Sequence, residues 1–115
     1  MKNRFELLHV GINTGSPEEA ERLSRLLAAM FNLECHSGPN SRFAGSYFEC
    51  MKDVGRGAKG HIAMGTADLP AAVAELEEKG VTFNRDTAVY AMDGRLLNIY
   101  LAGEYGGFAI HILQK

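Results

Sequence analysis

Apolar and polar positions alternate with two different periods along this chain, and the periods recur twice in the same order. Residues 5–13 read as a strand. Leu8, Val10 and Ile12 fall on one side of it, and Leu7, His9 and Gly11 on the other. Both sides are largely apolar, so both should be covered. After Thr14-Gly15 the period changes. Ala20, Leu23, Leu26, Leu27, Met30 and Phe31 recur at helical spacing, which leaves Glu18, Glu21, Arg22 and Arg25 for solvent. Ser16 precedes the stripe as an N-cap, Pro17 takes the first helical position, and Glu19 completes a capping-box pattern. Asn32 punctuates the end. Residues 33–37 carry a weak strand pattern, and Gly38-Pro39-Asn40-Ser41 is a turn cluster. Residues 42–44 and 46–51 read as a hairpin turning near Gly45. Phe48 and Cys50 share one of its faces; Tyr47, Glu49 and Met51 share the other.

The second half repeats this order. Residues 59–65 predict a strand, with Ile62 and Met64 on one face and His61 and Ala63 on the other. Asp68 is an N-cap, Pro70 sits harmlessly in the first turn, and Leu69, Ala72, Val73 and Leu76 form a helical stripe that Gly80 ends. Residues 81–84 suggest a short strand. Residues 88–92 and 96–101 flank Asp93-Gly94, a strong hairpin signal. Gly106-Gly107 precedes a last strand at 108–113. The pattern therefore predicts an α+β fold of two tandem βαβββ modules, module one over 1–54 and module two over 59–115, within one domain spanning 1–115. The glycines at 55 and 57 mark the joint. Two such modules should form a curved mixed β-sheet with the helices on its outer face and a concave cavity opposite. The helix stripes should bury against Leu8, Val10 and Ile12 of the first strand, and against Ile62 and Met64 of the fifth.

Composition narrows the function classes. The chain has 115 residues, 46% of them hydrophobic and 23% charged, with a net charge of −2. Acids and bases are interspersed, which argues against a nucleic-acid surface or a polybasic membrane patch. No apolar run approaches the roughly 20 residues that a spanning helix needs. Leu7-Leu8 runs straight into His9, so there is no signal-peptide core, and a cytoplasmic location is expected. Cys35 and Cys50 make no disulfide framework, and no Cys-x-x-Cys is present to build a thiolate zinc cluster.

The repeat carries the chemistry. Leu8-His9-Val10-Gly11 and Gly60-His61-Ile62-Ala63 place a histidine at the same point of each first strand. If the helices cover the other face, both imidazoles point into the cavity. The last strands match as well: Phe48-Glu49-Cys50-Met51 parallels Ile110-His111-Ile112-Leu113. Taken singly, a histidine in an apolar strand is more often a hydrogen-bonded core residue, and a buried Glu can simply pair with it. The symmetric placement of His9, Glu49, His61 and His111 points instead to a first shell for a divalent metal, Zn, Ni, Mn or Fe. Such a centre would polarise a carbonyl or enediolate oxygen, or activate water or dioxygen. Glu49 is then also the candidate general base. Tyr47, Asn98 and Tyr100 are candidate polar linings of the substrate pocket, although tyrosines in such positions also pack as core. His36 breaks the repeat and reads as surface; Arg42 and Arg95, beside turns, read as solvent-exposed.

The tandem βαβββ order, the His-Val and His-Ile openings and the Gly106-Gly107-Phe108-Ala109-Ile110-His111-Ile112 ending resemble the vicinal-oxygen-chelate superfamily, which includes glyoxalase I and extradiol dioxygenases. The resemblance spans essentially the whole chain. It implies metal ligands on the first and last strands of each module, at His9, Glu49, His61 and His111. The family usually carries Glu at the last of these positions. Residues 59–65, 88–99 and 106–111 are more closely similar to a glyoxalase-like domain fused to some 2-dehydro-3-deoxyphosphogluconate aldolases. A chain of 115 residues is too short for the aldolase barrel itself. The resemblance implies a metal-dependent enzyme acting on a small oxygenated metabolite of the 2-oxo or sugar-acid class, and a homodimer. The alternative is a non-catalytic small-molecule-binding, accessory or dimerisation domain beside a sugar-acid aldolase partner.

Overall fold

The chain opens with β1 (Glu6–Asn13) and α1 (Pro17–Phe31), followed by three four-residue strands, β2 (Cys35–Gly38), β3 (Ser41–Ala44) and β4 (Phe48–Met51). The second module runs β5 (Gly60–Thr66), α2 (Leu69–Glu78), β6 (Phe83–Tyr90), β7 (Leu96–Leu101) and β8 (Phe108–Gln114). This is a computed structural model, and it describes residues 2–115. The strands form one eight-stranded mixed sheet in the order β2-β3-β4-β1-β5-β8-β7-β6. β1 pairs parallel with β4, and β5 pairs parallel with β8. The modules meet where β1 runs antiparallel to β5. The βαβββ repeat read from the sequence is the architecture observed.

Local signals act as expected at most boundaries. Ser16 Oγ accepts the backbone N–H of Glu19, and Asn32 ends α1 in the left-handed conformation at φ 57°. The capping box is only half made, because the Glu19 carboxylate turns outward to Arg22. In module two, Asp68 accepts the Ala71 N–H. The strands expected at 81–84 and 88–92 are one strand, β6, whose register against β7 shifts between Asn84 and Val89. A bulge kept the sequence from showing one continuous period there.

Helix coverage departs from the sequence reading. α1 lies over β2, β3 and β4, and α2 over β7 and β8. The main cluster of buried apolar side chains is Leu69, Val73, Phe83, Ile99 and Ile112, with Phe5 from the N-terminal segment packed against it. Leu8, Val10, Ile12, Ile62 and Met64 are therefore only half-buried. The helices flank the outer strands because each packs on the strands of its own module that follow it. The α1 stripe is also shifted. Ala20 and Ser24 are buried, while Leu26, Met30 and Phe31 are more than half exposed. Small residues let α1 approach Ala44 and Cys50, which are fully buried. Arg42 is correspondingly tucked between Ser37 and Glu21 rather than freely solvated.

Candidate metal centre

Register brings the four candidate ligands onto one face. His9 lies opposite Ala63, Gly11 opposite His61 and Glu49, and His111 opposite Ala63. Residues directly opposite each other share a face, so four different strands deliver His9, Glu49, His61 and His111 to the concave side. Gly11 makes room for this. A Cβ there would lie 2.0 Å from His61 Cε1, so the imidazole occupies the space a side chain would fill.

The donor atoms converge. Glu49 Oε1 is 3.0 Å from His61 Nε2 and 3.3 Å from His9 Nε2, and the two Nε2 atoms are 3.3 Å apart. Ligands about 2.0–2.1 Å from a tetrahedral Zn would be separated by about 3.3 Å, so these separations match a metal's donor set. Ligand nitrogens of His9, His61 and His111 all lie within 4.8 Å of one another. His111 supplies the clearest signature. Its Nδ1 is 2.7 Å from Asn98 Oδ1, and its Nε2 is buried with no hydrogen-bond partner among the described residues. With Nδ1–H donated to Asn98, Nε2 carries the lone pair, the arrangement that ligating histidines adopt. An orphaned buried nitrogen costs about 1–3 kcal/mol, a cost that ligation would remove. The residues fit a divalent metal.

Electrostatics support the same assignment. Burial, followed by the nearby His61 and His9, pushes the His111 pKa down to about 4, so it is neutral and able to ligate at pH 7. The Glu49 carboxyl is held well below the usual carboxylate range by hydrogen bonds from His61 and His9, and by Ser41, whose hydroxyl donates to Oε2 at 2.8 Å. Glu49 is thus ionised and pre-oriented.

Of the three predicted lining residues, two reach the centre. Asn98 orients His111, and Tyr100 stacks on it with ring centroids 4.5 Å apart. Tyr47 does not. It precedes β4, is 57% exposed, and serves through its backbone carbonyl, which accepts the Val10 N–H. The hairpin strand, expected from residue 46, begins two residues later at Phe48, so alternation no longer carries Tyr47 onto the cavity face. His36 is a surface residue, stacked on Phe43. Sequence reasoning missed Gly11, Ser41 and Phe43, which lies edge-on to His9 at 5.9 Å. The signal was present: Gly11 is two residues from His9, and the register around Gly45 sets Phe43 opposite Glu49.

No model of a known protein family matches this chain, and no curated protein matches it in sequence. Solved structures share its fold. A hypothetical protein of Bacillus halodurans C-125 superposes with a TM-score of 0.61 at 19% identity, over 96% of this chain and 94% of that one. A methylmalonyl-CoA epimerase superposes at 0.57 and 17% identity, over 95% and 97%. The methylmalonyl-CoA epimerase of Mycobacterium tuberculosis gives 0.55 and 18%, over 94% and 86%. At these identities the likeness concerns the fold, and the fold is the eight-stranded arrangement anticipated from the internal repeat.

Proposed function

We propose that this protein is a metal-dependent enzyme of the vicinal-oxygen-chelate type that moves a proton on a small 2-oxo or sugar acid. The single observation that carries the reading is the convergence of His9, His61, His111 and Glu49, with the buried His111 Nε2 left unpartnered. The three imidazoles and Glu49 would hold the ion, which supplies Lewis acidity toward adjacent substrate oxygens. Asn98 keeps the His111 lone pair aimed at the site. Phe43 and Tyr100 flank the histidines on either side. Glu49, ionised and steadied by Ser41, is the group able to take a proton from the carbon beside the substrate carbonyl. That two structural neighbours are named epimerases supports proton transfer as the reaction class.

The test is elemental analysis of protein purified without a His-tag. One divalent ion per chain is expected, lost on His61→Ala and on chelation, with a matching fall in thermal stability. Protein that stays metal-free after incubation with Zn, Ni, Mn and Fe(II) sinks the reading.

A further inference from the structure

The joint between the modules places a cation beside this centre. Asn13, the last residue of β1, clamps it at two points. Its Nδ2 donates to the Gly57 carbonyl at 2.8 Å, and its Oδ1 accepts the Gly55 N–H at 3.3 Å. Gly57 adopts φ +83°, and a Cβ there would lie 2.0 Å from the Gly60 carbonyl oxygen, so the joint is pressed against the sheet. Arg56, between the two anchored glycines, projects its guanidinium over the Tyr100 ring, 4.9 Å from the centroid. Tyr100 is the ring stacked on His111. The cation therefore stands one aromatic ring away from the candidate ligands.

Arg22, Arg25, Arg42, Arg85 and Arg95 each pair with a carboxylate, whereas Arg4 and Arg56 have no carboxylate partner among the described residues, and of these two it is Arg56 that lies against Tyr100. It opens instead onto a cavity of about 270 Å³, shared with Asn84, Tyr100 and Ala109. Ala109 pairs with His61, and Asn84 with Tyr100, so this cavity adjoins the histidines on the same face. The larger cavity, about 660 Å³, lies between α2 and the β6–β7 hairpin, and its arginines, Arg85 and Arg95, are already paired.

We infer that Arg56 recognises a second carboxylate on the substrate, which makes this an enzyme for small 2-oxo diacids rather than monoacids. The inference rests on the proposed metal centre for the first carboxylate and its adjacent oxygen. A guanidinium matches a carboxylate with paired, charge-assisted hydrogen bonds, and Tyr100 holds its plane through a cation–π contact. Glu104 borders the same cavity and opposes the anion, so it sets the limit on affinity.

NMR titration of metal-loaded and metal-free protein with 2-oxoglutarate and with 2-oxobutyrate tests this. The diacid is expected to move the Arg56 Nε–H and Tyr100 ring signals in both forms. It should bind the loaded form at least tenfold more tightly than the monoacid. Arg56→Gln should abolish that preference, Arg56→Lys should keep part of it, and Glu104→Gln should enlarge it. Arg56 is exposed, so unchanged melting of the variants confirms that folding is intact. A wild-type preference in Arg56→Gln overturns the inference, as does a response at Arg85 and Arg95 instead. Metal content is measured separately. A response at Arg56 in protein that never takes up metal sinks the metal centre alone; loaded protein with no response at Arg56 sinks this inference alone.

Discussion

The two modules share a plan and differ in how they are packed. In module two, a ten-residue helix of about 15 Å lies over strands of six to eight residues, about 20–26 Å long. The helix is shorter than its platform, and Leu69 and Val73 are buried on Phe83, Ile99 and Ile112. In module one the proportions invert. A fifteen-residue helix of about 22 Å covers strands of four residues, about 13 Å long. The face it buries is the one carrying Ala20 and Ser24, so Leu26 and Met30 turn away from the sheet and, with Phe31 at the C-terminal end, are more than half exposed. The site divides along the same line. Module two contributes the buried, neutral His111; module one contributes the ionised Glu49 and the more accessible His9. Module two presets a buried ligand, and module one brings the charge to it.

The contact between the halves offers the largest test. Gly11→Ala keeps a strand-compatible backbone but drives a methyl into the His61 ring. Metal binding should be abolished, by isothermal titration, while the ligand side chains remain intact. Retained affinity would show that the histidines do not converge as described. Within module two, Leu69→Ala should cost about 2–5 kcal/mol in chemical denaturation, because Leu69 is fully buried. A cost below that of the same truncation at Leu26 would reverse the comparison. Asn98→Ala should weaken metal affinity by about 10–100-fold with little change in melting, since it frees the His111 ring without removing a donor.

Smaller effects probe the edges. In module one, Leu26→Gln should shift stability by no more than about 0.5 kcal/mol, as expected for a position on the outward face of α1. The N-terminal segment reaches across to module two, where Asn3 donates its backbone and side-chain N–H groups to Glu75. Lys79 first, and Asn3 with it, hold the Glu75 pKa near about 2 against an ordinary 4.5. A depressed carboxylate stabilises the fold fully above its unfolded pKa and loses that contribution as pH falls through the folded one. Glu75→Gln should therefore flatten a small part of the stability loss between pH 4.5 and about 2, and should deprotect the Asn3 amide to hydrogen exchange. Unchanged exchange at Asn3 would count against the tie.

Strand alternation, the capping residues and the recurrence of a histidine on each first strand determined the βαβββ repeat and put His9, Glu49, His61 and His111 on one face. A period of two is a property of the extended backbone itself, so it holds whatever packs around it. The internal repeat then made the arrangement of one module a guide to the other. The sequence pattern could not set lengths against one another. Which face of a helix is buried depends on the sheet it meets, and that separated Leu69 from Leu26. Strand ends were equally beyond it: a two-residue difference at the start of β4 removed Tyr47 from the site, while Asn98 and Tyr100 reached it through pairing with β8. Arg56 had no periodic signal at all. Its place over Tyr100 comes from Asn13 and two glycines holding a loop against the sheet, a set of long-range contacts that no local spacing records.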